Sequence, residues 1–214
     1  MLKSNFREWS KLALEKTFNL RQVWVLADLE AWINQAEMQP IAQYELQLLQ
    51  KWQRKLLYRG DDWNEIELIE QFIAPILALI DFDTEEFGLF VERPITAIID
   101  DYELSGEPDA IIATGRRAPE IPYFCFHEYK RGYEPKGDPA GQTLVAMLAA
   151  QALNNNSNII YGLYVSGRQW YFMVLHGKEY AITPSYSADT DKIEVIFKIL
   201  KQLKLIISQF VPSQ

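Results

Sequence analysis

Three charged residues stand at the ends of two apolar segments near the middle of the chain. Asp109 precedes the apolar run 110–113, and Glu128 and Lys130 close the run that begins at Tyr123. Gly and Pro residues bound both runs, so their length and composition predict two neighbouring strands. Because side chains alternate along a strand, Glu128 and Lys130 lie on the same face. Charge at the end of a buried strand is costly, so we expect these groups to serve a function.

Two carboxylates and an ammonium group in one place suit divalent-cation chemistry. Neighbouring carboxylates repel each other, and a cation between them removes that cost. Mg²⁺ prefers oxygen ligands in octahedral geometry and keeps several waters. The sequence therefore predicts that Asp109 and Glu128 hold Mg²⁺ (or Mn²⁺).

The same residues resemble the motif of the PD-(D/E)XK nuclease superfamily, which has the restriction-endonuclease-like fold. Pro108-Asp109 is followed by Glu128-Tyr129-Lys130, and the two acids are 19 positions apart. That spacing holds a strand, a loop and a strand. An acidic helix before the motif and a second helix after it give an αβββαβ order that resembles the superfamily core.

The resemblance implies an α/β fold with a restriction-endonuclease-like core, in which a mixed sheet is flanked by helices. It covers roughly residues 63 to 175. We therefore divide the chain into an N-terminal helical extension packed on the core, residues 1–62, and a nuclease-like domain, residues 63–214.

Helical spacing of apolar residues predicts helices over residues 6–34 and 41–58 of the extension. In the domain, residues 95–104 are predicted to form a strand that leads into the Asp109 strand. The tripeptide 166–168, Ser-Gly-Arg, predicts a tight hairpin between two later strands.

By resemblance, the motif residues take defined roles. Asp109 would bridge the metal ion, and Glu128, the carbonyl of Tyr129 and Glu65 would complete the protein ligands. The metal would polarise the scissile phosphate and lower the pKa of a bound water. Lys130 would orient that water and stabilise charge that develops on the phosphate.

Glu65 belongs to the acidic helix predicted over residues 64–80, with Asp62 or Asn64 as its N-cap. The apolar stripe of this helix faces the sheet, and Glu65 is the acid closest to that stripe. Pro75 is expected to kink the helix. The segment from Glu65 to Pro75 resembles the acid-to-proline helix of type I restriction subunits, in which an acid completes the metal site. A helix N-terminus also attracts Glu through its dipole, so both interpretations remain open.

Gln142 lies in the first turn of the helix that follows the motif. Asp138 is predicted to cap this helix, whose residues 140–153 are almost wholly apolar and should be buried. In several branches of the superfamily a glutamine here supports the active site. Simple solvation of the helix end is the alternative for Gln142.

Basic residues in the loops that flank the motif are the expected phosphate contacts. They are Arg116, Arg131, Lys136 and Arg168. Four more cations cluster near the end of the second helix, where a solvated helix face is favoured over phosphate binding. They are Lys51, Arg54, Lys55 and Arg59.

The net charge of −8 argues against strong nonspecific nucleic-acid binding, although a small basic cleft can sit on an acidic body. Cys125 is the one cysteine, so no internal disulfide forms and a reducing cytoplasm is expected. The N-terminus lacks the apolar run of a signal peptide, and no apolar stretch reaches membrane-spanning length.

Two functions follow from this reasoning. The first is a metal-dependent nuclease that hydrolyses phosphodiester bonds in nucleic acid, with DNA as the expected substrate. The alternative is a nuclease-fold protein that serves as a non-catalytic binding or regulatory subunit, which the acidic charge favours. The sequence leaves open whether the chain forms a homodimer or binds another protein.

Overall fold

A computed structural model describes residues 1–132, 137–155 and 159–211. The helices are α1 (Lys11–Phe18), α2 (Ala27–Ala36), α3 (Gln43–Arg59), α4 (Glu65–Leu68), α5 (Ala74–Ile80), α6 (Pro139–Leu153) and α7 (Lys192–Phe210). The strands are β1 (Leu2–Asn5), β2 (Arg21–Gln22), β3 (Phe87–Val91), β4 (Ile95–Ile99), β5 (Tyr102–Gly106), β6 (Ala110–Thr114), β7 (Glu120–Lys130), β8 (Ile160–Ser166), β9 (Gln169–His176), β10 (Glu179–Ile182) and β11 (Tyr186–Ser187).

An eight-stranded mixed sheet forms the centre of the molecule. Its order is β2-β10-β9-β8-β7-β6-β3, and β11 pairs with β9. The β7–β8 and β10–β2 pairs are parallel, whereas the other pairs are antiparallel. Helices cover both faces through two apolar cores. The predicted α/β class, with a mixed sheet flanked by helices, is confirmed.

The pairing of β6 with β7 places the motif residues together, as the sequence predicts. Ala110 lies opposite His127 in this antiparallel pair, so Asp109 falls beside the end of β7 that carries Glu128 and Lys130. A β-bulge interrupts the register near Ala113. As a result Phe124 packs in the core opposite to that of Phe126, although simple alternation predicts the same face for both.

The predicted single strand over residues 95–104 is wrong. The segment forms β4 and β5, joined by a turn in which Asp100 has a φ of 51°. These strands belong to a separate three-stranded sheet of order β1-β5-β4. The place next to β6 in the main sheet is taken by β3, which the sequence patterns did not predict.

Residues 1–62 contain strands as well as helices. The helix expected over residues 6–34 is interrupted, because β1 pairs with β5 and β2 pairs with β10. The division of the chain after residue 62 stays a prediction. In the described parts of the chain, no helix is both long enough and apolar enough to cross a bilayer.

The helix α6 is buried along almost its whole length, as predicted. Twelve of its residues, Ala140 to Gln151, are buried. Asp138 occupies the N-cap position as predicted, but its side chain makes no capping hydrogen bond: its Oδ2 instead accepts one of 2.9 Å from the amide of Lys11 at the start of α1. The predicted hairpin at residues 166–168 is confirmed between β8 and β9, where Gly167 has a φ of 59°.

Candidate active site

Asp109 and the end of β7 are joined by a direct hydrogen bond. The amide of Tyr129 donates to Oδ2 of Asp109 at 2.5 Å. Asp109 is half-buried and Glu128 is buried, with 8 % of its surface exposed. This hydrogen bond therefore fixes the Asp109 carboxylate relative to the peptide bond that joins Glu128 to Tyr129.

Lys130 lies among the oxygen atoms that the sequence assigned to a metal ion. Its Nζ is 2.8 Å from Oε1 of Glu128 and 3.5 Å from Oε1 of Glu65. It also donates a hydrogen bond of 3.0 Å to the carbonyl oxygen of Tyr129. The ammonium group thus offsets part of the negative charge of this cluster.

Glu65 reaches the cluster because of how its helix begins. The Asn64 side chain accepts from the amide of Glu67 at 2.9 Å, and the Glu67 side chain accepts from the amide of Asn64 at 2.8 Å. This capping box confirms Asn64 as the N-cap. The contact with Lys130 confirms the predicted direction of Glu65, whose side chain is 41 % exposed.

A π-helical turn interrupts the same helix where Pro75 was expected to kink it. Residues Ile69–Ile73 form this turn between α4 and α5, and the amide of Ala74 donates to the carbonyl of Ile69, five residues earlier. Proline lacks the amide that a regular helix needs at position 75, which favours such an irregularity just before it.

The electrostatics of the cluster reflect buried like charges. Burial and the neighbouring Asp109 carboxylate raise the pKa of Glu128 to about 7. Burial also raises the pKa of Asp109, although the Tyr129 amide opposes that effect. For Lys130, burial works to lower the pKa, but the carboxylates of Glu128, Asp109 and Glu65 together raise it. A cation near the two acids would restore their ionised forms.

Gln142 lines two depressions that contain the residues of the cluster. One, of about 400 Å³, contains Asp109 and Glu128, and the other, of about 640 Å³, contains Glu65 and Lys130. Gln142 is buried and lines both depressions. A Cβ atom at Gly137, which has a φ of 93°, would lie only 2.7 Å from Nε2 of Gln142, so a larger residue there would displace the amide.

Sequence reasoning missed Arg7, which lines both depressions together with Gln142. Arg7 is exposed and follows β1, whose parallel pairing with β5 brings the N-terminal segment to the cleft. Asn5 and Glu8 form a capping box around it, which predicts a turn from sequence. No local pattern predicts that this turn lies beside Asp109.

The predicted phosphate contacts occupy different places. Arg131 lines the depression that contains Glu65 and Lys130. Lys136 lies outside the described residues. Arg116 follows β6 at the end remote from Asp109, roughly 20 Å away at the usual rise per strand residue. Arg168 pairs with Asp61 at 2.9 Å and Asp189 at 3.0 Å, so internal carboxylates already neutralise its charge.

His127 and Tyr129 form a buried pair on the opposite face of β7. Nδ1 of His127 lies 2.6 Å from the hydroxyl of Tyr129. Burial lowers the pKa of His127 to about 3, so the imidazole is neutral at ordinary pH. The pair holds Tyr129, whose amide faces Asp109 and whose carbonyl faces Lys130. The alternation of side chains along β7 predicts from sequence that His127 and Tyr129 share a face.

Comparison with other proteins adds no family to this picture. Neither the models of known protein families nor the sequences of curated proteins match the chain. In the described residues, no group of three or more Asp, Glu, His or Cys side chains is arranged to hold a metal ion. The site is therefore interpreted from its own chemistry.

Proposed function

We propose that the protein is a metal-dependent nuclease that hydrolyses phosphodiester bonds, with DNA as the expected substrate. The observation that carries this proposal is the cluster of Asp109, Glu128, Lys130 and Glu65 beside an open cleft. Two carboxylates with raised pKa values, those of Asp109 and the buried Glu128, lie close together there. Such perturbed groups in a cleft are typical of catalytic sites.

The donor set fits Mg²⁺ or Mn²⁺. Asp109, Glu128 and the Tyr129 carbonyl offer hard oxygen ligands, and Glu65 is within reach of the same ammonium group. Mg²⁺ is commonly held by one or two carboxylates and keeps several waters. In the part of the chain that the structure describes, no three such side chains are arranged around one ion position, and binding through two carboxylates does not require them. A bound ion would polarise the phosphate and make an attacking hydroxide available near neutral pH.

The residues of the chain supply positioning and charge. Lys130 contacts Glu128, Glu65 and the Tyr129 carbonyl, so it can orient a water at the cluster and stabilise negative charge on the phosphate. Gln142 presents a buried amide to both sides of the cluster. Arg7 and Arg131 add positive charge along the cleft, which suits a phosphate backbone.

The order of elements supports membership of the PD-(D/E)XK superfamily. The α4–α5 helix, then β3, β6 and β7, then α6 and β8 follow the αβββαβ order, with the β4–β5 hairpin inserted. Asp109 before β6 and Glu128-Tyr129-Lys130 at the end of β7 then correspond to the motif.

A non-catalytic binding or regulatory subunit is the second candidate. It is favoured by the position of Lys130, whose ammonium group already pairs with the carboxylates of Glu128 and Glu65. In that case the cluster would be a structural ion-pair network, and the protein would need no metal.

A cleavage assay distinguishes the two functions. The protein is incubated with single- and double-stranded DNA and RNA, with Mg²⁺, Mn²⁺ or EDTA, beside Asp109→Ala as the control. The nuclease predicts cleavage of at least one substrate that requires the ion and Asp109. Absence of cleavage in every combination, or equal cleavage by the variant, would contradict it.

A further inference from the structure

A basic stripe on α3 extends the positively charged surface beyond the cleft. It consists of Lys51, Arg54, Lys55 and Arg59, together with Tyr58, and these five side chains line one depression of about 520 Å³. All five are exposed, and Tyr58 is 81 % exposed. Their spacing by three and four positions places them on one side of the helix, while Leu49 and Leu56 anchor the other side in the core.

Among the described residues, the stripe has no acidic partner that explains its charge. None of its four cations forms a salt bridge with a described residue, although the chain carries 29 acidic residues. Lys55 donates only to the side chain of Gln71, at 3.1 Å. The helix dipole favours cations in the last turn, which accounts for Arg59 alone. Like charges four positions apart destabilise a helix, so this arrangement works against the fold.

A small groove lies next to both the end of the stripe and the candidate active site. Gly60 follows Arg59 and lines the groove with Gly132 and Gly167. A Cβ at Gly167 would lie 3.0 Å from the Cα of Gly132, so the two backbones pack closely here, and Asp61 lines the groove beside them. Arg131 lines both this groove and the depression that contains Lys130. Gly60 and Arg131 thus place this groove beside both the end of the stripe and the cleft.

We propose that this stripe binds a single nucleic-acid strand that continues out of the cleft. The path from the cleft to the stripe rests on the proposed nuclease function, in which the cleft holds the cleaved part of the strand. The four cations would contact phosphates, which are the complementary charge. Tyr58 would stack on a base, which a paired duplex does not offer. Cations interleaved with an exposed aromatic residue are the combination that binds single strands without sequence preference.

The test measures binding of a labelled single strand to the full chain in EDTA, so that cleavage does not interfere. The strand is several times longer than the ~4–16 nucleotides that a single-strand-binding domain covers. The test variant replaces the four cations of the stripe with Gln. The control variant replaces Arg116, Arg117, Lys178 and Lys192, which are exposed elsewhere, and so has the same net charge.

Loss of four phosphate contacts should reduce the slope of log affinity against log salt by about 3 for a single strand. The control variant should keep the slope of the parent. Tyr58→Ala should weaken binding by about 5- to 100-fold, whereas Tyr44→Ala, an exposed tyrosine at the start of the same helix, should leave it unchanged.

Other outcomes would overturn the inference. The first is an equal salt slope for the test and control variants, and the second is no effect of Tyr58→Ala. The third is that the test variant loses binding to dextran sulfate and anionic vesicles as much as it loses strand binding, which would indicate a general polyanion surface. Cleavage separates this failure from failure of the proposed function. If the parent cleaves short oligonucleotides and the stripe variants cleave long ones as the parent does, only the proposed role of the stripe is overturned. Strand binding that depends on the stripe, without any cleavage, overturns the nuclease alone.

Discussion

The ammonium group of Lys130 lies 2.8 Å from a carboxylate oxygen of Glu128, two residues earlier on the same strand. It also donates a hydrogen bond to the carbonyl of Tyr129, which lies between them in sequence. Glu128 is the most perturbed acid of the cluster, with a pKa raised to about 7 by burial and by Asp109. One cation therefore does not fully compensate for the neighbouring carboxylates of Glu128 and Asp109. The charge balance of this site can be measured through pH, metal ions and substitution.

The first prediction concerns pH and Glu128. The folded chain holds a proton on Glu128 up to about pH 7, whereas in the unfolded chain this group has its ordinary pKa of 4.5. The resulting stability is fully present below about pH 4.5 and is lost as the pH rises through 7. This pKa difference corresponds to about 3 kcal/mol.

Urea unfolding without divalent ions, measured across this pH range, tests the effect. The free energy of unfolding of Glu128→Gln should fall less with pH than that of the parent, because Gln does not titrate. Glu194→Gln, an exposed position on α7, is the control and should follow the parent. Parallel curves for the parent and Glu128→Gln would show that Glu128 does not have a raised pKa.

The second prediction concerns metal binding at Asp109. Mg²⁺ or Mn²⁺ should raise the melting temperature of the parent, because an ion that binds only the folded state stabilises it. Asp109→Asn keeps an oxygen that can accept the Tyr129 amide but removes the charge. It should lose the ion-dependent shift, while Asp101→Asn in the β4–β5 turn should keep it. Equal shifts in all three proteins would place the ions elsewhere.

The motif strands were predictable from sequence because their signals are local. Gly and Pro bound two apolar runs, and the pairing of β6 with β7 then brings Asp109 to Glu128 and Lys130. Glu65 was predictable for the same reason, since the apolar stripe of its helix fixes its direction.

The rest of the site depends on contacts between distant parts of the chain. Arg7 reaches the cleft only because β1 pairs with β5 about a hundred residues later, and periodicity does not encode such a pairing. Asp138 stands at the start of α6 but binds the amide of Lys11. The bulge in β7 likewise moves Phe124 to the other face, which alternation alone does not predict.

The third prediction concerns Arg7. Arg7→Gln should weaken binding of a short oligonucleotide that only the cleft can hold, and should reduce the salt dependence of that binding by about 1, as expected for one phosphate contact. Arg116→Gln removes an exposed arginine from the far end of β6 and should leave both quantities unchanged. Fluorescence anisotropy in EDTA measures them. Identical salt slopes for the two variants would exclude Arg7 from the phosphate path.

The last prediction concerns Lys130 and separates the two candidate functions. Lys130→Met keeps much of the aliphatic stem and removes the charge that lies between Glu128 and Glu65. In a nuclease, the carboxylates still bind Mg²⁺, and the ion takes over the balance of charge. The variant should then be stable in Mg²⁺ but should turn over at least ~100-fold more slowly, the scale for loss of one electrostatic stabiliser.

In a non-catalytic subunit, Lys130 is instead the counter-charge that the fold requires. Lys130→Met would then lose about 3–5 kcal/mol of stability, as when one partner of a buried ion pair is removed, and Mg²⁺ would not restore it. Melting curves with and without Mg²⁺, beside cleavage assays on the same samples, distinguish these outcomes. A stable, metal-binding and inactive variant supports the nuclease. An unstable variant that Mg²⁺ does not rescue, from a parent without cleavage activity, supports the binding subunit.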